Sequence, residues 1–453
     1  MKKRNRIKQL QTFFLIYGIS ILSFMLLLFV LLQIETKDAL NLFIEAITTT
    51  FTFPIFWLLN LIPYLVYLLI KHLIKDYQNS SSAQFFKKLL LKIGLPSLSI
   101  YLLLLVLQSH RTSEIFNYDW DYSMERDSGN VEDFYALDQK QRGIHIFGWR
   151  EGLEDIAFLQ KNNFEWITIT PFIGQKYHDQ PEMRIISAED SIYRRQQYLK
   201  VRKMTDSLGM RVMMKPHIWL YKLRDGKWRS DIEMQNEADW RKWFDAYKKT
   251  MLTYARIAED LEFEQFCVGT ELEKTVELKA GEWLQFIEEV KTVFSGKLTY
   301  AANWHEGYEY FPHWEKLDYI GIQAYFPLHD GSSPVKLSTL EKAWKNHARQ
   351  LENFSKQHNR PILFTEIGYR SVKGTATRPW EWNEAGNILS KMSQEEQYLC
   401  YQAFFNVMWK KKWFHGIHIW EWQTRANSDG KDTNFHIENK PAFNLIMQRF
   451  KGK

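Results

Sequence analysis

Cysteine is nearly absent. The 453-residue chain has two, Cys267 and Cys400, too few for a disulfide framework. Both are expected as buried thiols, with a single bridge as the alternative in an oxidising compartment. Glycine-rich phosphate turns are missing too: "GIHIFGWREG" (143–152) lacks the glycine spacing of a dinucleotide site, which argues against a doubly wound nucleotide-binding sheet. Neither HxH nor HExxH occurs, so no metal site is signalled and no cofactor is expected. There is no internal repeat and no low-complexity linker. The net charge is +6, but no basic stripe interleaved with aromatics accompanies it, so nucleic acid is not an expected partner.

The apolar residues that are present are unevenly spread. "FFLIYGISILSFMLLLFVLL" (Phe13–Leu32) is uncharged and long enough to cross a bilayer as a helix. A second apolar region covers 39–70, with "FPIFWLLNLIPYLVYLLI" as its best window. A third, "IGLPSLSIYLLLLVL" (Ile93–Leu107), reaches spanning length only with Leu89–Leu91 included; a buried or interfacial helix is its alternative. Lys2, Lys3, Arg4, Arg6 and Lys8 precede the first span, and Lys71, Lys75, Lys87, Lys88 and Lys92 lie between the second and third. The positive-inside rule then places both segments in the cytoplasm and everything beyond the third span outside. A cleaved signal peptide is disfavoured, since no small-residue cleavage site follows the first span. The expected organisation is a membrane anchor with three transmembrane helices over 1–108, a connector over 109–139 and a large globular domain over 140–453, with the lipid bilayer as a partner.

From 140 onward, β-rich runs alternate with helical patterns. The runs are "GIHIF" (143–147), "WITITP" (166–171), "RVMMKP" (211–216), "FCVGTE" (266–271), "LTYAAN" (298–303), "YIGIQAYF" (319–326), "PILFTE" (361–366) and "GIHIWEW" (416–422). Between them, residues 237–261 put Trp240, Trp243, Phe244, Tyr247, Met251 and Tyr254 on one helical face. Residues 393–413 open with Ser393 as a cap and early glutamates, and end in lysines. Eight strand–helix alternations predict a (β/α)8 barrel.

In such a barrel the chemistry gathers at the C-terminal ends of the strands. Those ends carry Thr170, His217, Glu271, Asn303, Tyr325, Glu366 and Trp420. Glu366 is the most informative. A carboxylate that follows "ILFT" in a buried strand is expensive unless something uses it. Glu271 and Glu366 end the fourth and seventh strands, on opposite sides of the mouth, as a pair of carboxyls for glycoside hydrolysis would be. Either alone could be a salt-bridge partner or could cap a helix. Glu273, two residues on, competes for the acid/base role but is expected in the loop. Trp420 is either barrel core or a sugar platform. Tyr325 either caps the core or donates to Glu366. His145 and His418 are expected as hydrogen-bonded core histidines. His217 and Asn303 are candidates for sugar hydroxyls. Tryptophans number 18, and many stand near loops: Trp149, Trp219, Trp228, Trp304, Trp380 and Trp382. An aromatic-lined groove suits an oligosaccharide or polysaccharide.

"CVGTELE", "FTEIGYRS", "DYIGIQAYFPL", "WEW" and "NKPAF" together resemble the retaining clan-A glycoside hydrolases, most closely glycoside hydrolase family 113, over about 143–443. The resemblance implies a (β/α)8 fold, net retention and action on β-1,4-mannan or related β-mannosides, with Glu271 as acid/base and Glu366 as nucleophile. The expected substrate contacts are Trp420, Tyr325, Asn303, His217, Thr270 and Trp304. Thr270 departs from the wider clan, where many members place Asn before the acid/base to bind the sugar 2-hydroxyl. A catalytically silent glycan-binding barrel at the cell surface is the alternative reading.

Overall fold

The computed structural model describes residues 9–21, 23, 52–112, 133–148, 153–382, 391–424, 430 and 432–452. The chain divides into two compact units, Met1–Leu107 and Gln108–Lys453.

In the N-terminal part, helix Thr52–Gln78 is followed by Ser82–Leu89, a π-helical turn Leu90–Gly94, and Leu95–Thr112. Ser81 and Gln84 form a reciprocal capping box at the second of these. Among the described residues, no helix is long and apolar enough to cross a membrane. The first expected span lies for the most part outside those residues. The helix over the second holds Pro63 and runs on through Lys71, Lys75 and Asp76. The helix over the third has 18 residues and finishes on Gln108, Ser109, His110 and Arg111, which dilute its leucines. The three expected crossings therefore stand on sequence hydropathy alone.

The second unit contains strands β1 (Gln141–Phe147), β2 (Trp166–Ile169), β3 (Phe172–Gln175), β4 (Arg211–Met214), β5 (His217–Leu220), β6 (Gln265–Thr270), β7 (Lys297–Asn303), β8 (Tyr319–Gln323), β9 (Ile362–Ile367) and β10 (Phe414–Gln423). Eight of them close a parallel barrel in the order β1, β2, β4, β6, β7, β8, β9, β10 and back to β1. This is the expected (β/α)8 class, with two departures. The second and third expected strands break at Pro171 and Pro216, which have no N–H for the ladder. Beyond the prolines the chain re-forms as β3 and β5, which pair in parallel as a separate two-stranded ribbon. The segment between β7 and β8 holds a 3-10 turn, Trp314–Lys316, in place of an α-helix, with Trp314 fully buried.

The helices bury the faces their spacing predicts. Trp240, Trp243, Phe244, Tyr247, Met251 and Tyr254 of helix Glu237–Asp260 are all buried. Helix Gln394–Val407 is capped by Ser393, which accepts the Glu396 N–H. It stops before Lys410–Lys412, so those lysines do not sit in its last turn. At the N-terminal face, helix Phe134–Asp138 comes from the expected connector and sets Tyr135 edge-on to Trp166. Buried Arg142 there bonds Asp138 and the Phe450 carbonyl, each at 2.8 Å.

Inside the barrel the two histidines are core groups. His145 Nε2 donates to the Thr365 carbonyl at 2.9 Å, and Nδ1 therefore accepts the Thr170 hydroxyl at 3.1 Å. His418 bonds Thr168 at 2.6 Å and Gln141 at 2.7 Å. Thr170 is thus committed to the core. Cys267 and Cys400 are free and buried.

Strand spacing at β8 demands a bare backbone. A Cβ on Gly321 would fall on the Tyr300 carbonyl oxygen and the Thr299 hydroxyl, and within 3.0 Å of Thr365 Cγ2. Gly321→Ala is expected to lower stability by about 1–3 kcal/mol through overpacking, seen as a reduced midpoint in thermal or chemical denaturation. An unchanged midpoint would show that the barrel wall yields there.

Candidate active site

The C-terminal mouth is organised around Glu366. A register irregularity between β8 and β9 separates the pair Ile322–Phe364 from the pair Gln323–Glu366, and bulges of this kind re-aim side chains beside active sites. Glu366, nearly fully buried, receives the Lys215 ammonium on Oε1 at 2.5 Å and the Tyr325 hydroxyl on Oε2 at 2.8 Å. Lys215 has no solvent exposure. Its other protons go to Gln323 Oε1 at 2.8 Å and the Thr365 carbonyl at 3.3 Å. Burial pushes the lysine below its ordinary pKa, and the Glu366 charge works against that push.

His217 closes a third side. Arg229 Nη1 lies 3.1 Å from its Nδ1, and because a guanidinium can only donate, the ring proton sits on Nε2. That nitrogen faces Glu366 Oε1 at 3.6 Å and has no hydrogen-bond partner. Burial first, then the charges of Lys215 and Arg229, hold this ring well below the usual histidine pKa, so it is neutral. Its face stacks parallel to Trp420, 7° from coplanar with centroids 6.2 Å apart.

Glu271 stands one residue past the end of β6 with φ at 51°. That left-handed conformation is costly for a side-chain-bearing residue and clusters at functional sites. Ala301 O fixes the Glu271 N–H at 2.9 Å, and the Tyr300 hydroxyl accepts the next one, from Leu272, at 2.8 Å. Arg229 Nε lies 3.1 Å from Glu271 Oε2. The buried guanidinium therefore touches both Glu271 and His217, and His217 faces Glu366. The two carboxylates thus belong to one connected site.

The remaining expected residues divide. Trp420 is buried among His145, Phe147 and Trp382, and its Nε1 has no partner. Trp304 packs against the Tyr325, Trp420 and Phe435 cluster and stacks on Trp380 at 5.2 Å. Thr270 is buried, with its hydroxyl on the Pro216 carbonyl at 3.4 Å, so it lies behind the cleft. Asn303 lines a neighbouring cavity of about 740 Å³ with Glu273, Tyr300 and Tyr310. Glu273 does belong to the segment after the strand, in helix Glu273–Leu278, where Oε1 accepts the Asn303 N–H at 3.0 Å.

Three functional candidates escaped the sequence reading. Lys215 sits in "RVMMKP", where the argument that singled out Glu366, a charge in a buried strand, applied equally. Arg229 gave no signal, because it reaches the site only through the fold of the 221–236 excursion. Glu421, within "WEW", is pushed up to about 7 by burial, with the Glu366 charge contributing. Among the described residues, no group of acids, histidines and cysteines is arranged to hold a metal ion.

A parallel barrel with two carboxylates joined across its mouth is the geometry of a glycosidase. The model of Glycoside Hydrolase Family 113 matches residues 139–440, and the chain belongs to that family; it is a glycoside hydrolase. A solved GH113 β-mannanase from Alicyclobacillus acidocaldarius is 24% identical, covering 69% of this chain and 97% of that one, with a TM-score of 0.60. A solved GH113 β-1,4-mannanase is 23% identical over 69% of this chain and 99% of that one, with a TM-score of 0.59. At these identities the likeness is one of fold. No curated protein matches the chain.

Burial first, then the charge of Glu271, pushes the Glu273 carboxyl from 4.5 up to about 8. Its Oε2 is buried without a partner. A carboxyl raised in the folded state carries no penalty below its unfolded pKa. The penalty grows as pH rises towards the folded value, then levels off. Glu273→Gln is therefore expected to raise the melting temperature at about pH 9 and to leave it nearly unchanged at about pH 4. A difference that does not depend on pH would show that folding leaves the Glu273 pKa unshifted.

Proposed function

We propose that this glycoside hydrolase is a retaining enzyme that cleaves β-1,4-mannan or related β-mannosides by double displacement. Glu366 is the nucleophile and Glu271 the acid/base. The observation that carries the reading is the clamp on Glu366: an ammonium on one oxygen, a phenol on the other and a neutral imidazole N–H beside them. This setting orients the carboxyl group with little freedom, as attack on an anomeric carbon requires.

In the first step a Glu366 oxygen bonds to the anomeric carbon while Glu271 gives a proton to the departing glycosidic oxygen. In the second step Glu271 takes a proton from water, which attacks the same carbon and releases Glu366. Glu273 is the rival acid, but its carboxyl lines the adjoining cavity, whereas Glu271 shares Arg229 with His217. Trp420 and Trp304 supply apolar faces for the sugar, and Tyr325 and His217 supply donors. The manno preference draws on the names of the two solved relatives, a β-mannanase and a β-1,4-mannanase.

Azide tests the roles. With Glu271→Ala, the glycosyl-enzyme still forms from activated aryl glycosides, and azide in place of water gives the β-azide. With Glu366→Ala no covalent intermediate forms, and azide gives the α-azide by single displacement. The opposite pattern would exchange the roles, and full activity in either variant would remove that residue from the chemistry. Release from a panel of β-glycans checks the substrate.

The second part of the proposal is that the N-terminal region tethers the barrel to a lipid bilayer, with the barrel outside the cytoplasm. Its support is the apolar runs, the basic residues at 2–8 and 71–92, and the exposed apolar side chains Ile62, Leu65, Val66, Leu98 and Leu102. Protease added to intact spheroplasts should then degrade the barrel. Its survival there, with digestion only after lysis, would reverse the orientation. Recovery in the soluble fraction would remove the tether.

A further inference from the structure

We infer that the β3–β5 ribbon is a glycan platform extending the catalytic cleft, where it holds sugar residues of the same β-linked chain beyond those at the bond being cleaved. The inference rests on the glycosidase reading above. One face of the ribbon begins inside the site. His217, the first residue of β5, faces Glu366. Strand alternation carries that face through Trp219 to Tyr221, while Ile218 and Leu220 are buried. On β3, Phe172 pairs with His217 and Gly174 with Trp219.

The ring contacts run outward without a break. Phe172 lies edge-on to His217 at 5.9 Å and to Trp219 at 5.6 Å. Phe147 links Phe172, at 6.3 Å, to Trp420, at 5.1 Å. A Cβ on Gly174 would meet the Tyr221 ring at 2.6 Å, so the missing side chain lets that ring lie down on the ribbon.

These rings are not consumed by packing. Phe172, Trp219 and Tyr221 are 43%, 44% and 56% exposed, and apolar side chains exposed together in this way mark a binding surface. The continuity of the face with the carboxylate cleft selects the occupant. A pyranose chain presents flat C–H faces that stack on aromatic rings, and a chain held at Glu366 is already aligned with the ribbon. From His217 to Tyr221 the face runs about 13 Å at about 3.3 Å per residue, more than a single sugar ring needs.

Trp219 has a second contact that the test must separate. Trp228 lies edge-on to it at 5.7 Å and carries the Arg229 guanidinium at 4.8 Å, so Trp219 also stands behind a partner of Glu271. The variants Trp219→Ala, Trp219→Phe and Tyr221→Ala are made in the full-length chain. kcat/KM is measured on β-1,4-mannohexaose and on 4-nitrophenyl β-mannobioside. For Trp219→Ala the ratio of hexaose to aryl glycoside is expected to fall about tenfold, the loss of roughly one stacking contact, with KM for the hexaose carrying most of the change. Tyr221→Ala should lower the ratio less, and Trp219→Phe should restore most of it. An equal loss on both substrates would show that Trp219 acts only through Arg229 and would overturn the platform, as would no loss on either. A wild type inactive on both would refute the mannoside reading instead, and the same ratio would then be read on short and long members of the β-glycan series it does cleave.

Discussion

A lysine ammonium shut off from water, 2.5 Å from a carboxylate that is itself nearly buried, is the constraint around which the barrel mouth is built. Moving either ion out of water costs several kcal/mol, and mutual attraction offsets this only when the geometry is tight and the remaining protons and lone pairs are occupied. That condition is met. The three ammonium protons have Glu366, Gln323 and the Thr365 carbonyl, and the second carboxylate oxygen has Tyr325. Gln323 Oε1 also accepts the Thr365 hydroxyl at 3.1 Å. The pair therefore ties the end of β4 to β8 and β9, and the position of Glu366 is fixed by barrel closure itself.

This explains which parts of the site could be read from the chain. Glu366 was legible because a charge inside an apolar strand has to be satisfied, and Tyr325 because it ends the adjacent strand. The same logic reaches Lys215 once the lysine after "RVMM" is weighed as heavily as the glutamate after "ILFT". For Thr270 and Asn303 the strand-end position did not determine where the side chain points. The Thr270 hydroxyl turns to Pro216, and Asn303 faces the adjoining cavity. Arg229 was beyond sequence logic, since this one residue of a surface-like "KWRSD" segment becomes buried only when the excursion after β5 folds back. The eightfold alternation was legible for a simpler reason: parallel strands buried on both faces read as short apolar runs. The helix missing between β7 and β8 was not, because a 3-10 turn anchored by Trp314 fills the same space.

The two prolines at which the sequence reading ended its second and third strands have a positive role. Pro171 and Pro216 occupy equivalent places after β2 and β4, and the Pro171 carbonyl accepts the His217 N–H at 2.9 Å. The break releases both chains from the barrel wall together and lets them re-pair as the ribbon. His217 is therefore delivered to Glu366 by the first residue of a strand rather than by a loop. Lys440 of "NKPAF" is a comparable fixture: buried, it bonds Asp432 at 2.9 Å and Ser371 at 3.0 Å, joining the segment after β10 to that after β9.

The charge pattern also bears on the direction of the proposed reaction. Two cations, Lys215 and Arg229, face the carboxyl groups of Glu366 and Glu271, while burial holds His217 and the raised Glu273 in neutral forms near pH 7. Under the roles assigned above, glycosylation turns Glu366 into an ester and leaves the site's negative charge on Glu271, which has given up its proton, beside Arg229. Lys215 then keeps only the neutral oxygens of Gln323 and Thr365 as hydrogen-bond partners, and its remaining counter-charge is Glu271, which it does not touch, a weaker compensation for a buried cation. Hydrolysis of the ester reprotonates Glu271 and returns the charge to Glu366, against the ammonium. The clamp that orients the nucleophile therefore also destabilises the covalent intermediate relative to the free enzyme, which favours the second displacement over accumulation of the first product.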